Sequence, residues 1–230
     1  MKYAVSLFAG LLVGVALFIV GLYLNPFSGR ATVSPLAVSD ERVMDLSFSL
    51  VPGDSILYTD HGESIVKPHP DRVAELWEKG VVETKLYVTP LSSSRGGLVG
   101  LGIKFFSKSE QTELIKGKAI ANSDWHVYLP GQGTFFIEQT ENFWPYIREV
   151  IVPARASSGD NWVGTFHSTT TNGPGALGTG RVTGGSGIFE GMDSESVEAL
   201  TARGYSAVTG PVSMDGNLTI EMRSRAEPAE

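Results

Sequence analysis

An unbroken apolar run near the start of the chain constrains its architecture more than any other feature. Residues 3–24, YAVSLFAGLLVGVALFIVGLYL, contain no charged residue. At about 1.5 Å per residue, a helix of this length reaches about 33 Å, enough to cross a hydrocarbon core of about 30 Å. The run therefore predicts a transmembrane anchor over residues 1–24. A cleaved signal peptide is the alternative, but its apolar core usually has only about 7–15 residues.

The orientation of this anchor follows from its position. A short N-terminal tail, one span and a large following domain are typical of a signal anchor, so we expect the N-terminus inside and the domain exported. In a bacterium the domain would lie on the periplasmic side. Ser6, Gly10 and Gly14 recur every four residues on one helix face, a pattern that lets a second transmembrane helix approach closely. Expected partners are therefore the lipid bilayer and either another transmembrane helix or a second copy of the chain, although glycine is common in membrane spans generally.

Composition excludes several kinds of protein. The chain has 230 residues and no cysteine, which excludes a disulfide scaffold, a thiolate zinc site and a cysteine nucleophile. Its formal net charge is −7, and every acidic residue lies at or after Asp40, so we expect no nucleic-acid partner. Two prolines and the lack of periodicity make residues 25–40 a linker. A domain over 41–224 and a tail over 225–230 complete the predicted organisation.

The domain has the pattern of a mainly β protein. Apolar and polar residues alternate over 43–50, where Met44, Leu46 and Phe48 share one face. Similar patterns predict further strands at 55–59, 81–89, 97–107, 119–130, 133–141, 162–171, 196–208 and 217–222, although Val197 and Leu200 would also suit a helix at 196–208. Helical spacing predicts a short helix at 70–80, and the segment 143–153, FWPYIREVIVP, fits either a helix or a strand. Many short strands at regular spacing predict an antiparallel barrel or sandwich with two short helices.

Two dipeptides predict turns between these strands. Asn172-Gly173 follows the strand at 162–171, and Asp215-Gly216 precedes the strand at 217–222. Both dipeptides are typical of tight hairpin turns, because they tolerate positive φ angles.

A glycine-rich stretch at 178–191, GTGRVTGGSGIFEG, is the next informative feature. Its glycines are spaced GxGxxxG rather than GxGxxG, no helix is predicted after the first copy, and no Lys-Ser/Thr pair follows, which argues against a phosphate-binding loop. Glycines inside strands permit tight bends and close backbone approach. We therefore interpret them as structural residues of a barrel corner or hairpin: Gly178, Gly180, Gly184, Gly185, Gly187 and Gly191.

This stretch resembles the glycine-rich strand pair of allene oxide cyclase-like and dirigent-like barrels, G-T-G-x-x-x-G-G-T/S-G-x-F-x-G. The resemblance covers residues 160–222 and implies an eight-stranded antiparallel barrel whose interior takes an apolar ligand. These families include cyclases, proteins that steer radical coupling and members without known activity, so no functional residue is carried over. The apolar run at 3–24 and the long segment at 40–150 depart from the family pattern.

Three groups of residues could indicate an enzyme. Gly53-Asp54-Ser55 resembles the opening block of GDSL-type lipases, but the chain lacks the D-x-x-H block that those enzymes carry, and a turn explains the stretch as well. Asp60, His61, Glu63 and His69 could bind a metal, although a solvated loop is the simpler interpretation. We expect no metal and no cofactor.

The third group is a pair of histidines on predicted strands. Either His126 or His167, with a carboxylate such as Glu138, could act as an acid or base if it faced an apolar cavity. Because neighbouring strand residues point to opposite faces, His126 faces outward if Trp125 faces inward. A structural histidine is the alternative in each case, and the sequence favours a protein that is not an enzyme.

Three functions are consistent with these features. The first is a membrane-anchored extracytoplasmic β-domain that binds an apolar small molecule or lipid. The second is an accessory subunit of a membrane complex that docks through the Gly10 and Gly14 face and the 143–152 segment. The third is an isomerase or cyclase, which only the family resemblance implies.

Overall fold

The structure is a computed structural model, and it describes residues 2–24, 42–54, 56–59 and 83–222. The predicted linker at 25–40, the predicted helix at 70–80 and the tail at 225–230 lie outside the described residues. The elements are α1 (Lys2–Tyr23), β1 (Arg42–Ser49), β2 (Ile56–Thr59), β3 (Lys85–Ser93), β4 (Leu98–Lys108), β5 (Ile120–Leu129), β6 (Gly133–Asn142), β7 (Asn161–Thr169), β8 (Gly180–Gly187), β9 (Asp193–Ser206) and β10 (Gly210–Met222). The prediction of a mainly β, antiparallel domain with short helices is confirmed.

The apolar run near the start of the chain forms a single helix, α1. The side chains described along it are exposed, among them Leu11, Leu17 and Phe18. Side chains of α1 are described without interruption only from Val5 to Gly21. Within the described residues, no helix is long and apolar enough to cross a membrane. The assignment of residues 1–24 as a transmembrane anchor stays a prediction.

Eight strands close into a ring. The sheet runs in the order β1-β10-β9-β8-β6-β5-β4-β3, and every pairing is antiparallel. β3 returns to β1 through the pairs Leu46–Ser93 and Ser47–Ser92, which closes the ring. Closure pairs the backbone N–H and C=O groups that an open sheet would leave unpaired at its edges.

Two further strands lie beside this ring. β2 pairs with β3, and β7 pairs with the second half of β9. After β7 the chain continues along the end of β6, where Thr140 N–H donates to the Gly173 carbonyl at 2.9 Å and Asn142 N–H donates to the Thr170 carbonyl at 2.7 Å. Backbone from β7 and β8 therefore fills the space between β6 and β9.

The ambiguous segment at 143–153 is helical. It consists of α-helical turns at Trp144–Tyr146 and Val152–Ala156 that flank a π-helical turn at Ile147–Ile151, and we call the whole segment α2. Pro145 stands at its start, where a missing N–H costs nothing. Val150 and Ala154 are fully buried, so α2 packs its apolar face against the strands.

One predicted turn is wrong, and the reason is steric. Asp215 and Gly216 lie inside β10, where Gly216 pairs with Phe48 of β1. A Cβ atom at Gly216 would overlap the Phe48 ring, so the glycine is needed for side-chain space rather than for a turn. The turn that precedes β10 lies at 207–209 instead. The Asn172-Gly173 signal does mark the end of a paired stretch, but a longer loop joins it to β8.

The described residues form two apolar clusters in the interior. The first fills the ring with the side chains of Leu46, Trp125, Phe135, Phe189 and Leu218, among others. The second lies between α2 and the strands β7, β9 and β10, and includes Tyr146, Val150, Phe166, Leu200 and Met214. The candidate site lies where these clusters meet.

Candidate functional site

A cavity of about 220 Å³ lies between the ring interior and α2. Strands β1, β3, β4, β5, β9 and β10 contribute to its wall, and α2 closes it on one side. Most of the lining side chains are apolar or aromatic, including Phe48, Leu50, Phe106, Phe143, Leu200 and Met214. An apolar cavity with a few polar groups is the usual form of a small-molecule site.

The charged part of the wall is a buried cluster of one lysine and two glutamates. Lys104 Nζ on β4 lies 2.7 Å from Glu141 Oε2 on β6 and 2.7 Å from Glu198 Oε1 on β9. The three residues are 4%, 0% and 2% exposed. Lys104 and Glu198 line the cavity, so the cluster reaches the space that a ligand would occupy.

Glu198 is the most heavily hydrogen-bonded member of the cluster. Its carboxylate accepts hydrogen bonds from Lys104 Nζ, from Trp125 Nε1 at 3.0 Å and from Gln139 Nε2. Its backbone N–H donates to Thr171 Oγ1 at 2.6 Å. Glu141 is different, because its Oε1 has no hydrogen-bond partner among the described residues. The Glu198 carboxylate is therefore held by several partners, whereas the Glu141 carboxylate depends on its contact with Lys104.

Burial and charge shift the proton affinities of this cluster. Burial raises the pKa of Glu198, and the charge of Glu141 adds to that effect, while Lys104 and Trp125 oppose it. Burial acts to lower the pKa of Lys104, but the two carboxylates outweigh it and the pKa is raised. Lys104 is therefore held as an ammonium ion, a hydrogen-bond donor and not an amine nucleophile.

Tyr146 of α2 supplies a second donor to the cavity wall. It is 7% exposed, and its hydroxyl has no hydrogen-bond partner among the described residues. Its ring contacts those of Phe166 and Tyr205. Burial, with a smaller effect of Tyr205, raises the pKa of Tyr146 far above its usual value, so the hydroxyl keeps its proton.

The structure places the candidate acid–base residues outside this cavity. Trp125 is buried and His126 points to the outer surface, where its ring stacks on Phe136 at 4.7 Å. Exposed His167 lies 2.9 Å, through Nδ1, from Thr201 Oγ1. Glu138 is also exposed, and it lines a separate open depression beside Arg181 and Asp193. None of the three lines the cavity, so the geometry gives a catalytic role no support.

The remaining candidates are the serine of the lipase-like stretch and the possible metal ligands. Ser55, Asp60, His61, Glu63 and His69 lie outside the described residues. Within the described ranges, no group of three or more histidine and acidic residues is arranged to hold a metal ion.

The six structural glycines lie in or beside β8 and the turn that follows it. A Cβ at Gly184 would overlap the Phe189 carbonyl, and Gly187 has a φ of +66° that favours glycine. This tight turn places Phe189 in the ring interior, fully buried against Phe135 at a ring distance of 4.9 Å. At Gly184 and Gly187 the backbone therefore leaves little room for a side chain, and the structural role of the other four glycines stays a prediction.

The Lys104 cluster was not predicted from the sequence. The signal was present in the period-2 pattern of β6, where the inward series of Phe135 and Ile137 continues into Gln139 and Glu141. Lys104 similarly interrupts the apolar series of β4 at an inward position. Polar residues at inward positions of several strands indicate a polar layer, but their meeting depends on the ring.

No protein-family model matches the chain, and no curated protein matches it in sequence. The resemblance of residues 160–222 to allene oxide cyclase-like and dirigent-like barrels therefore stays a prediction.

Proposed function

We propose that the protein is a membrane-anchored extracytoplasmic domain that binds a small, mainly apolar molecule inside its barrel. The observation that carries the proposal is the cavity of about 220 Å³ between the ring interior and α2. Its volume lies below the range of about 300–1,000 Å³ typical of sites for drug-sized ligands, so the ligand is small. Buried donors at an otherwise apolar wall supply orientation, as in other ligand sites.

Anchoring is the second part of the proposal, and it rests on the sequence. Residues 3–24 carry no charge, and the described side chains of α1 are exposed apolar groups. An exposed apolar surface of this extent is normally buried against another molecule, and lipid is the simplest such environment. A domain held at the bilayer would meet molecules that partition into lipid.

The binding proposal is tested by NMR of the full chain in lipid nanodiscs. Met214 lines the cavity, so ¹³C-labelled methionine methyl groups report entry of isopropylbenzene. We expect a saturable shift of the Met214 resonance, assigned with Met214→Leu, while Met44, Met192 and Met222 serve as internal references. A shift that fails to saturate, or the lack of any Met214 shift, would overturn the proposal.

A matched pair of variants tests the location. Leu200→Phe adds volume at the cavity wall and should abolish the Met214 shift. Leu177→Phe makes the same change at a residue that is 62% exposed and should leave the shift intact. Equal binding by the two variants would place the ligand elsewhere.

A second candidate function, an accessory subunit of a membrane complex, is favoured by the outer face of the ring. Leu101, Phe105, Tyr128 and Phe136 are exposed on β4, β5 and β6, and contiguous apolar surface is common at protein interfaces. The 143–152 segment is a poor docking surface, because Tyr146 and Val150 are buried in the second cluster.

Mass measurement of the detergent-solubilised chain tests whether a second copy of the chain covers this face. We expect an assembly larger than a monomer that Phe136→Asp disrupts, whereas Val163→Asp, at a residue 84% exposed on β7, leaves it intact. A monomer in every case would exclude self-association through this face. We do not extend the proposal to an isomerase or cyclase, because His126, His167 and Glu138 lie outside the cavity.

A further inference from the structure

The buried carboxylate at the cavity wall already accepts several hydrogen bonds. Glu198 faces the cavity, but its carboxylate accepts hydrogen bonds from Lys104, Trp125 and Gln139. A ligand that approached as a donor would have to compete with three charge-assisted bonds formed in a low-dielectric interior. Glu198 is therefore a poor partner for a ligand that donates a hydrogen bond.

The donors at the same wall are not all occupied. Tyr146 lines the cavity with a buried hydroxyl that has no partner among the described residues. Leaving such a buried group without a hydrogen bond is unfavourable. Lys104 has three N–H donors, of which the two nearby carboxylates account for two. The Tyr146 hydroxyl and the third N–H of Lys104 are therefore the groups from which a ligand oxygen can accept a hydrogen bond.

The charges of the cluster disfavour ions of either sign. An anion would enter beside two buried carboxyl groups that share a single ammonium ion, and it would also lose its hydration. A cation would also lose its hydration on entering the apolar cavity, and the Glu198 carboxylate already has Lys104 as its counterion. A neutral molecule avoids both penalties.

From this arrangement we infer that the cavity selects a neutral, compact, mainly apolar molecule carrying one hydrogen-bond-accepting oxygen, such as a ketone or an ether. The oxygen accepts from the Tyr146 hydroxyl at the α2 side of the cavity, and the apolar body packs against side chains such as Phe48 and Leu200. The inference rests on the proposed binding function and specifies the ligand class of the same cavity.

The test compares three probes of similar shape on the full chain in nanodiscs, each read by the Met214 methyl resonance. Acetophenone carries an acceptor oxygen, isopropylbenzene replaces it with a methyl group, and benzoate is the anion. The measured quantity is the ratio of the dissociation constants of isopropylbenzene and acetophenone. We expect that ratio to fall about tenfold in Tyr146→Phe, the equivalent of one hydrogen bond of about 1.4 kcal/mol.

Two controls separate the possible outcomes. Tyr146→Phe should still bind isopropylbenzene, which shows that the cavity is intact, and Tyr128→Phe on the outer face should keep the wild-type ratio. If the ratio is the same in wild type and Tyr146→Phe, the acceptor inference is overturned while the binding function stands. Benzoate binding as tight as that of acetophenone would overturn the neutrality requirement. If no probe binds, the proposed function itself fails, and the inference fails with it.

Discussion

Lys104 Nζ on β4 lies 2.7 Å from Glu198 Oε1 on β9, although the two residues are 94 positions apart in the sequence. β4 and β9 are not neighbours in the sheet, so this contact crosses the interior of the ring. Glu141, on β6, completes the cluster from between them. One lysine thus links two opposite walls of the barrel beside the cavity.

This arrangement predicts a large effect of Lys104→Met on stability. The substitution leaves Glu141 and Glu198 buried without their counterion, and breaking a buried ion pair in this way typically costs about 3–5 kcal/mol. We expect the free energy of unfolding to fall by that amount in urea titrations followed by circular dichroism. Lys108→Met, an exposed lysine at the end of β4, should change it by less than about 0.5 kcal/mol.

A rescue experiment identifies the cause. Adding Glu141→Gln and Glu198→Gln to Lys104→Met removes the uncompensated charges and should restore most of the lost stability, because a fully neutral replacement of a buried ion cluster is often tolerated. If the triple variant is no more stable than Lys104→Met, lost packing of the lysine side chain accounts for the effect and the electrostatic explanation is wrong.

The same cluster predicts how stability depends on pH. Burial, and then the charge of Glu141, raise the pKa of Glu198 above its ordinary value of 4.5. The folded state therefore binds the proton more tightly than the unfolded state, so this contribution to stability is complete below pH 4.5 and declines as the pH rises through the folded-state pKa.

Replacing the titrating group should remove that decline. In Glu198→Gln, the free energy of unfolding should change less with pH above 4.5 than it does in the wild type. Glu190→Gln, an exposed glutamate, should follow the wild-type curve. Parallel curves for the wild type and Glu198→Gln would show that Glu198 does not titrate differently in the folded state.

Local patterns predicted most of the strands but not the cluster. Alternation in β1 correctly places Leu46 and Phe48 inside, because every second side chain of a half-buried strand faces the core. The cluster depends instead on how the ring closes, which sets the strands that face each other. Single-strand patterns carry no information about which inward lysine meets which inward glutamate.

Gly216 shows the same limit for a single residue. Asp-Gly is a strong local turn signal, yet here the glycine lies within β10 because the Phe48 ring occupies the space of a side chain. Phe48 belongs to a strand far away in the sequence. Local propensity is overridden by tertiary packing at this position, which no short window of sequence reveals.

This contact predicts that Gly216→Ala destabilises the domain. The new methyl group must displace the Phe48 ring, and overpacking of this kind typically costs about 1–3 kcal/mol. Gly97→Ala is the matched control, since no atom lies within 4 Å of its Cβ position and it has no positive φ angle. Thermal unfolding followed by circular dichroism measures both variants.

A double-mutant cycle attributes the cost to the named pair. Phe48→Leu shortens the facing side chain, so Gly216→Ala should cost clearly less in the Phe48→Leu background than in the wild type. Strictly additive effects would mean that the methyl group clashes with something other than Phe48.

The predicted membrane topology can be tested because the chain contains no cysteine. Ser158 is exposed after α2, so Ser158→Cys provides a single thiol on the domain, and Lys2→Cys provides one before the apolar run. In spheroplasts of a bacterial host, a membrane-impermeant maleimide should label Ser158→Cys at once and label Lys2→Cys only after permeabilisation. Both proteins should stay in the membrane pellet after an alkaline wash, since the proposed anchor is uncharged over residues 3–24 and would be held in the bilayer by the hydrophobic effect and not by charge. Labelling of Lys2→Cys from outside would show that the topology is the opposite of the predicted one. Release of the chain by the wash would contradict the proposed anchor, but it would not bear on the proposed binding in the cavity.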